Sequence, residues 1–375
     1  MKKIICIFLI FSIFPAAAAA EAPALDINAK SAILMEQSTG KVLYEQNPDE
    51  KLPIASVTKI MTMLLIMEAI DEGKISTEDM VSVSERAMSM GGSTMFLETG
   101  EQVSVDEMLK GIAVASANDG AVAMAEFIAG SESEFVRRMN ERAKELGMVN
   151  TAFVNTNGLD ADGHYSSARD VAIMSRELLK HEAIFKYTTI WTDTMRGGKY
   201  QLANTNKLIR FYDGANGLKT GSTSKALCCL SASAKRNDMQ LISVVLGAPD
   251  SKSRFNGART LLDYGFSAYS ICEAVPADTE LARCPVKRGT VPDVGAQARE
   301  PKKLLQSHGD NSEITYSVEF SNELTAPIYK GDPVGEAVIM KGGEELDRIP
   351  VYASEEVPKK TFKAALKDIL KYFYA

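Results

Sequence analysis

Residues 53–70 read Pro-Ile-Ala-Ser-Val-Thr-Lys-Ile-Met-Thr-Met-Leu-Leu-Ile-Met-Glu-Ala-Ile, and no other stretch constrains the chain as much. Met, Leu and Ile fall on every side of a helical projection, with Lys59 the single charge before Glu68. A helix apolar all round has to sit in the middle of a domain, with the rest of the fold wrapped around it. Pro53 suits its first turn, where a missing N–H costs little, and Gly73 suits its end. Ser56 and Lys59 lie one turn apart near the start, on one face. A hydroxyl near a helix N-terminus, with an amine in reach as base, has the parts of an activated nucleophile. The pattern alone is weak: S-x-x-K arises by chance about once or twice in a chain this long. It recurs with Ser222 and Lys225.

Around this helix the chain alternates between strands and helices. Residues 32–35 and 42–44 read as a hairpin about Ser38-Thr39-Gly40-Lys41. Ser104 and Glu107 form a capping box ahead of Met108 and Leu109. Residues 111–129 are helical in pattern but broken by Ala-Ser-Ala-Asn-Asp-Gly at 115–120, a loop suited to presenting side chains to a cleft. A helix follows over 131–146, then a turn-rich segment over 155–164, then a helix capped by Ser167. Strands are expected over 227–233 and 239–246, with a closing helix over 251–264. An early strand pair, helices, then late strands imply an α+β fold, an antiparallel sheet with helices packed against it. Residues 274–354 lack helical periodicity and carry short alternating runs at 314–320, 335–340 and 348–352, which read as a small all-β domain.

Both ends carry membrane features. Residues 1–20 pair Lys2 and Lys3 with an apolar run and five alanines before Glu21, the pattern of a cleaved secretory signal. Over 359–374, Phe362, Leu366, Ile369, Leu370 and Phe373 oppose Lys359, Lys363, Lys367 and Lys371. About 16 residues at 1.5 Å rise give roughly 24 Å, too short and too charged to span, so this basic amphipathic helix is expected to lie on an anionic membrane surface. The expected layout is a signal peptide over 1–20, a main domain over 24–273, the β-rich domain over 274–354 and the anchoring helix over 355–375. The protein is expected at the outer face of the cytoplasmic membrane.

The formal charge of −7, more acidic still without the leader lysines, excludes a nucleic-acid partner. His164, His181 and His308 are scattered without a zinc motif, so neither a metal nor a cofactor is expected. Cys228 and Cys229 would point to opposite faces of a strand, and a bridge between Cys272 and Cys284 is sterically open.

Three short patterns now stand in order: Ser56-x-x-Lys59, Ser116-x-Asn118 and Lys219-Thr220-Gly221. The last alone has a chance expectation of about one in ten. Together they resemble the signature of penicillin-binding proteins and class A β-lactamases. The stretches around residues 55–62, 91–97, 111–118, 158–170, 217–222 and 326–332 further resemble the low-molecular-weight D-alanyl-D-alanine carboxypeptidases, across nearly the whole chain.

The resemblance implies an acyl-enzyme on Ser56, formed by attack on the carbonyl between two terminal D-alanines of a peptidoglycan pentapeptide, and inhibition by β-lactams. Lys59 would be the base, its pKa lowered by burial and by Lys219. Ser116 would relay the proton to the leaving amine, and Asn118 would offer its amide to the substrate and to Lys59. Lys219 and Thr220 would face the terminal carboxylate, with Gly221 admitting the strand close to the substrate. Backbone N–H groups of Ser56 and Ser222 would form the oxyanion hole. Arg254 opens the closing helix where the family tends to place a carboxylate-binding arginine. Two positions depart from the family: Ala117 replaces a Gly or Asp, and Asn157 replaces a common histidine. A β-lactamase is the second reading, though the expected E-x-x-L-N loop is not found. A non-catalytic wall-binding protein of the same fold is the third.

Overall fold

The computed structural model describes residues 25–321, 323–364 and 366. The expected signal peptide lies outside them, as do residues 365 and 367–375 of the expected anchoring helix. Strands β1 (Ser31–Glu36) and β2 (Val42–Gln46) form the early hairpin. They join β3 (Ala215–Thr223), β4 (Leu227–Arg236) and β5 (Met239–Ala248) in a five-stranded antiparallel sheet, in the order β2-β1-β5-β4-β3. Every residue of β1 and β5 is buried because helices cover both faces. The side chains alternate accordingly: Ile33, Met35, Ile242 and Val244 enter one core, and Leu34, Leu230, Leu241 and Val245 the other.

Behind the second face lies helix Ser251–Ala268, longer than its sequence pattern suggests, packing Ala258, Leu261 and Leu262. Each of those leucines contributes roughly 1.5–3 kcal/mol by burial. On the other face sits the central helix α1 (Lys59–Asp71), with Ile60, Met61, Met63, Leu64, Ile66 and Met67 all buried. Around it run α2 (Val105–Lys110), α3 (Asn118–Ala129), α4 (Glu132–Glu145) and α5 (Ala168–Leu178). Ser104, Ser131 and Ser167 each cap their helix by accepting a backbone N–H three residues on.

Two local readings change. Pro53 stands outside the helix, which opens instead as a single 3-10 turn over Ala55–Thr58. The break after α2 is narrower than the run of small residues suggests. A π-turn over Gly111–Ala115 ends at Ser116 in left-handed conformation (φ +65°), and Asn118 already begins α3. The extra residue of the π-turn swings the chain, so the break needs only two residues, Ser116 and Ala117.

The helix that closes the sheet ends at Ala268, and strand Tyr269–Val275 crosses the boundary expected at residue 273 to pair with Lys302–Ser307. The following strands, Ala282–Lys287, Asp293–Gln297, Ile314–Phe320, Leu324–Thr325, Pro333–Lys341 and Glu344–Ala353, form a second sheet over a core of small apolar residues such as Val294, Ala296, Ala337 and Val351. Cys228, Cys229, Cys272 and Cys284 are all free, so the open Cys272–Cys284 bridge is not formed. Cys229 is buried and Cys228 half-buried, as alternation along β4 requires.

Candidate active site

The chain reaches the site at Leu52, whose N–H and C=O pair with Ser166 at 2.8 and 3.0 Å. Ala55 then adopts φ +48°, a left-handed conformation that costs a residue with a Cβ about 1–2 kcal/mol. Two glycines hold it there. A Cβ on Gly158 would come within 1.9 Å of the Ala55 carbonyl oxygen, and one on Gly221 within 2.7 Å of the Ile54 oxygen and 2.9 Å of the Ser56 nitrogen. The glycine of the Lys-Thr-Gly triplet is thus required by the nucleophile turn itself, beyond the approach to substrate expected of it.

The tight turn sets Lys59 Nζ 3.0 Å from Ser56 Oγ. Nζ also donates to Asn118 Oδ1 at 2.6 Å and to the Asn157 carbonyl at 2.8 Å. Lys59 is wholly buried. Burial pushes its pKa well below the usual lysine value and the Lys219 charge adds to this, while the Asp119 carboxylate opposes it. A neutral amine has two N–H bonds and one lone pair. Its three neighbours, two carbonyl oxygens and one hydroxyl, suit either form, since the hydroxyl accepts from the ammonium and donates to the amine once the proton is shed.

Lys219 is likewise buried on β3, donating to the Thr220 carbonyl at 2.9 Å. Burial, then the Arg254 guanidinium, push its pKa down to about 7. Thr220 Oγ1 donates to Thr205 Oγ1 at 2.6 Å. Ser222 is exposed, paired across the ladder with Cys228.

Asn118 is consumed more fully than its sequence role suggests. Besides accepting from Lys59, its Nδ2 donates to the Gly91 carbonyl at 2.7 Å, and its backbone N–H donates to Ser93. Asp119, one residue on, accepts the N–H groups of Met95, Leu97 and Gly120 at the start of α3. Together they fix the wall over residues 91–97. Ser116 stands nearby, buried, and its hydroxyl bonds to no other described residue. Arg254 is buried too, not solvated. Its Nη1 donates to the carbonyls of Gly221 (3.1 Å) and Cys229 (3.3 Å), and its Nη2 to Ser251 Oγ (3.2 Å). It braces β3 and β4 from within and sets a charge beside Lys219, an arrangement that does not present it as a direct carboxylate ligand.

Ser56, Lys59 and Asn118 therefore meet directly, and Lys219, Thr220 and Gly221 lie along the adjoining strand. Sequence reasoning assigned no role to Thr58, Asp119, Gly158, Thr205 or His164. Segment 153–166 grips the start of α1 at three points. The Thr156 carbonyl accepts from Thr62 Oγ1 (2.6 Å), the Asn157 carbonyl from Lys59, and His164 meets Thr58 Oγ1 (2.7 Å). The turn-rich pattern marks this segment as a loop but does not reveal what it packs on. Among the described residues, no cluster of three or more His, Cys, Asp or Glu could hold a metal ion.

Residues 16–250 match the D-alanyl-D-alanine carboxypeptidase family (peptidase S11), and residues 269–359 match the C-terminal domain of penicillin-binding protein 5. The chain is 49% identical over 343 residues to the D-alanyl-D-alanine carboxypeptidase DacF of Bacillus subtilis, covering 90% of this chain and 88% of that one. Penicillin-binding protein 5 from Haemophilus influenzae matches with a TM-score of 0.75 at 33% identity, over 90% of this chain and 99% of that structure. Penicillin-binding protein D2 from Listeria monocytogenes, solved in its ampicillin-bound form, matches with a TM-score of 0.60 at 33% identity, over 65% of this chain and 100% of that one.

Proposed function

The chain belongs to the D-alanyl-D-alanine carboxypeptidase family and is a serine-type hydrolase that binds penicillins, and on that footing we propose that Ser56 is its nucleophile and Lys59 its general base. The observation that carries this is the wholly buried Lys59 amine held 3.0 Å from Ser56 Oγ by Asn118 and the Asn157 carbonyl: burial favours its neutral form, whose lone pair then faces the Ser56 hydroxyl.

Ser56 Oγ attacks the carbonyl carbon between the two terminal D-alanines while its proton passes to Lys59. General-base assistance of this kind contributes about 10²–10⁴-fold. The tetrahedral oxyanion accepts N–H bonds from Ser56 and Ser222, each worth about 10²–10³-fold where measured elsewhere. When the C–N bond breaks, the leaving amine takes the proton from Lys59 through Ser116, whose hydroxyl has no competing partner among the described residues. D-alanine departs, leaving an ester on Ser56. Water then attacks this ester, giving its proton to Lys59, which passes it to the Ser56 oxygen as the ester bond breaks and the free hydroxyl is restored. Lys219 and Thr220 hold the terminal carboxylate. Arg254 supports them from behind the strand through the Gly221 carbonyl. In a β-lactam the cleaved amine stays tethered to the acyl group, so the same attack gives a long-lived adduct.

The proposal extends to location: export, then attachment to the outer face of the cytoplasmic membrane by the basic amphipathic pattern over 359–374. It rests on sequence pattern. Among the described residues no helix is long and apolar enough to cross a membrane. Flotation with anionic vesicles should carry the full chain, and a chain ending at 358 should stay behind; equal flotation of both would overturn the anchor.

The activity is tested by incubating the purified chain with a pentapeptide ending in D-Ala-D-Ala. One free D-alanine per peptide is expected, and no release would overturn the reading.

A further inference from the structure

His164 is buried beneath the nucleophile turn, with no part in the reaction described above. Its Nδ1 accepts the Val154 backbone N–H at 3.0 Å, which leaves the ring proton on Nε2. Nε2 lies 2.7 Å from Thr58 Oγ1 and donates to it. Thr58, itself wholly buried, then directs its single proton to the Ala55 carbonyl at 2.8 Å. Burial holds the His164 pKa down to about 4, against the pull of Asp160, so the ring stays neutral and the direction of the chain is fixed. The bond at the end of this chain matters most. The Ala55 carbonyl and the Ser56 N–H belong to one trans peptide unit, and in a planar trans peptide they point in opposite directions. Gly158 and Gly221 clamp the same peptide from two sides.

We infer that His164 is a positioning residue for the oxyanion hole: acting through Thr58, it orients the Ala55–Ser56 peptide so that the Ser56 N–H points at the developing oxyanion. The hydrogen bond on the carbonyl also polarises the unit and makes its N–H a better donor. Without the chain, the peptide keeps its place between the glycines but loses the bond that fixes its tilt. Substrate binding is little affected, because the oxyanion forms only during acylation.

The inference rests on Ser56 as the acylated serine, and the experiment separates the two. Acylation by benzylpenicillin is followed for the wild type, His164→Phe, His164→Gln and Thr58→Val, resolving the binding constant from the acylation rate constant. The infrared stretch of the acyl carbonyl is recorded for each adduct. A glutamine offers one acceptor and one donor at similar reach. His164→Phe and Thr58→Val should slow acylation about tenfold or more, at unchanged binding constant, with the carbonyl stretch moved to higher wavenumber by the weakened oxyanion hole. His164→Gln should stay within about threefold of wild type with its stretch unmoved. Thermal melts establish that each variant folds; if His164→Phe does not, Thr58→Val carries the comparison. Wild-type acylation rates in the Phe and Val variants, or slower acylation with an unmoved stretch, would overturn the inference. A wild type not acylated on Ser56 would overturn the underlying reading instead.

Discussion

Up to residue 268 the fold buries Glu36, Lys59, Lys219, Asp119, Asp170 and Arg254, each against specific partners; beyond it, no charged side chain among the described residues is buried. The β-rich region keeps its charges at the surface, where Arg283 pairs with Glu280, Asp293 and Glu355, and Arg348 with Glu319, Glu336 and Glu345. Its core is apolar throughout, mostly Ala and Val with Cys284, Ile328 and Ile339. Burying a lysine is costly unless it sheds its proton, so a fold keeps such groups only where their altered chemistry is used. The contrast separates a region that accepts strain and desolvation for reactivity from one built for packing.

Breaking the first region should give the largest effects. Ser56→Ala should abolish acylation by benzylpenicillin in a mass assay. Lys59→Met should slow acylation by about 10²–10⁴-fold. Because it replaces a buried amine with an apolar chain of similar length, its melting temperature should hold or rise. A fall in both would show that Lys59 serves packing. Gly158→Ala should follow, since the new Cβ meets the Ala55 oxygen in a residue at φ +88°. A loss of stability of about 1–3 kcal/mol is expected together with much slower acylation.

Titration sharpens the contrast next. Lys59 acts as a base when neutral, so acylation rises with pH through its lowered pKa. Removing the neighbouring cation in Lys219→Gln should move that rising limb to higher pH, because one cause of the lowering is gone. The buried lysines also link stability to pH. With Lys219 at about 7 in the fold against 10.5 unfolded, the unfolded chain binds the extra proton between those values. Stability should therefore increase as pH rises through that window, seen as a rising denaturation midpoint. The smallest effect belongs to the β-rich region. Arg348→Ala removes only exposed, solvent-screened pairs and should leave both the melting temperature and acylation nearly unchanged.

How much of this was legible in the sequence depended on range. The central helix, its serine caps and the alternating strands follow from local periodicity, and the three motifs carried the site. The π-turn that narrows the break before Asn118 left no local mark, and Pro53 suggested a helix start two residues early. Arg254 and His164 show the larger gap. Each is a single polar residue whose partners, the Gly221 and Cys229 carbonyls for one and Thr58 and Val154 for the other, come mostly from distant parts of the chain. No spacing rule brings such partners together; only the packed fold does. Gly221 was legible as part of a motif, yet its steric cause lies in Ile54 and Ser56.

The account turns on a neutral Lys59 activating Ser56. Its most direct test is intact mass with peptide mapping after mixing with benzylpenicillin across a pH series. The account predicts one long-lived adduct on Ser56, whose formation rate rises with pH and is lost in Lys59→Met. An adduct on another residue, or formation on Ser56 at the same rate without Lys59, would contradict it.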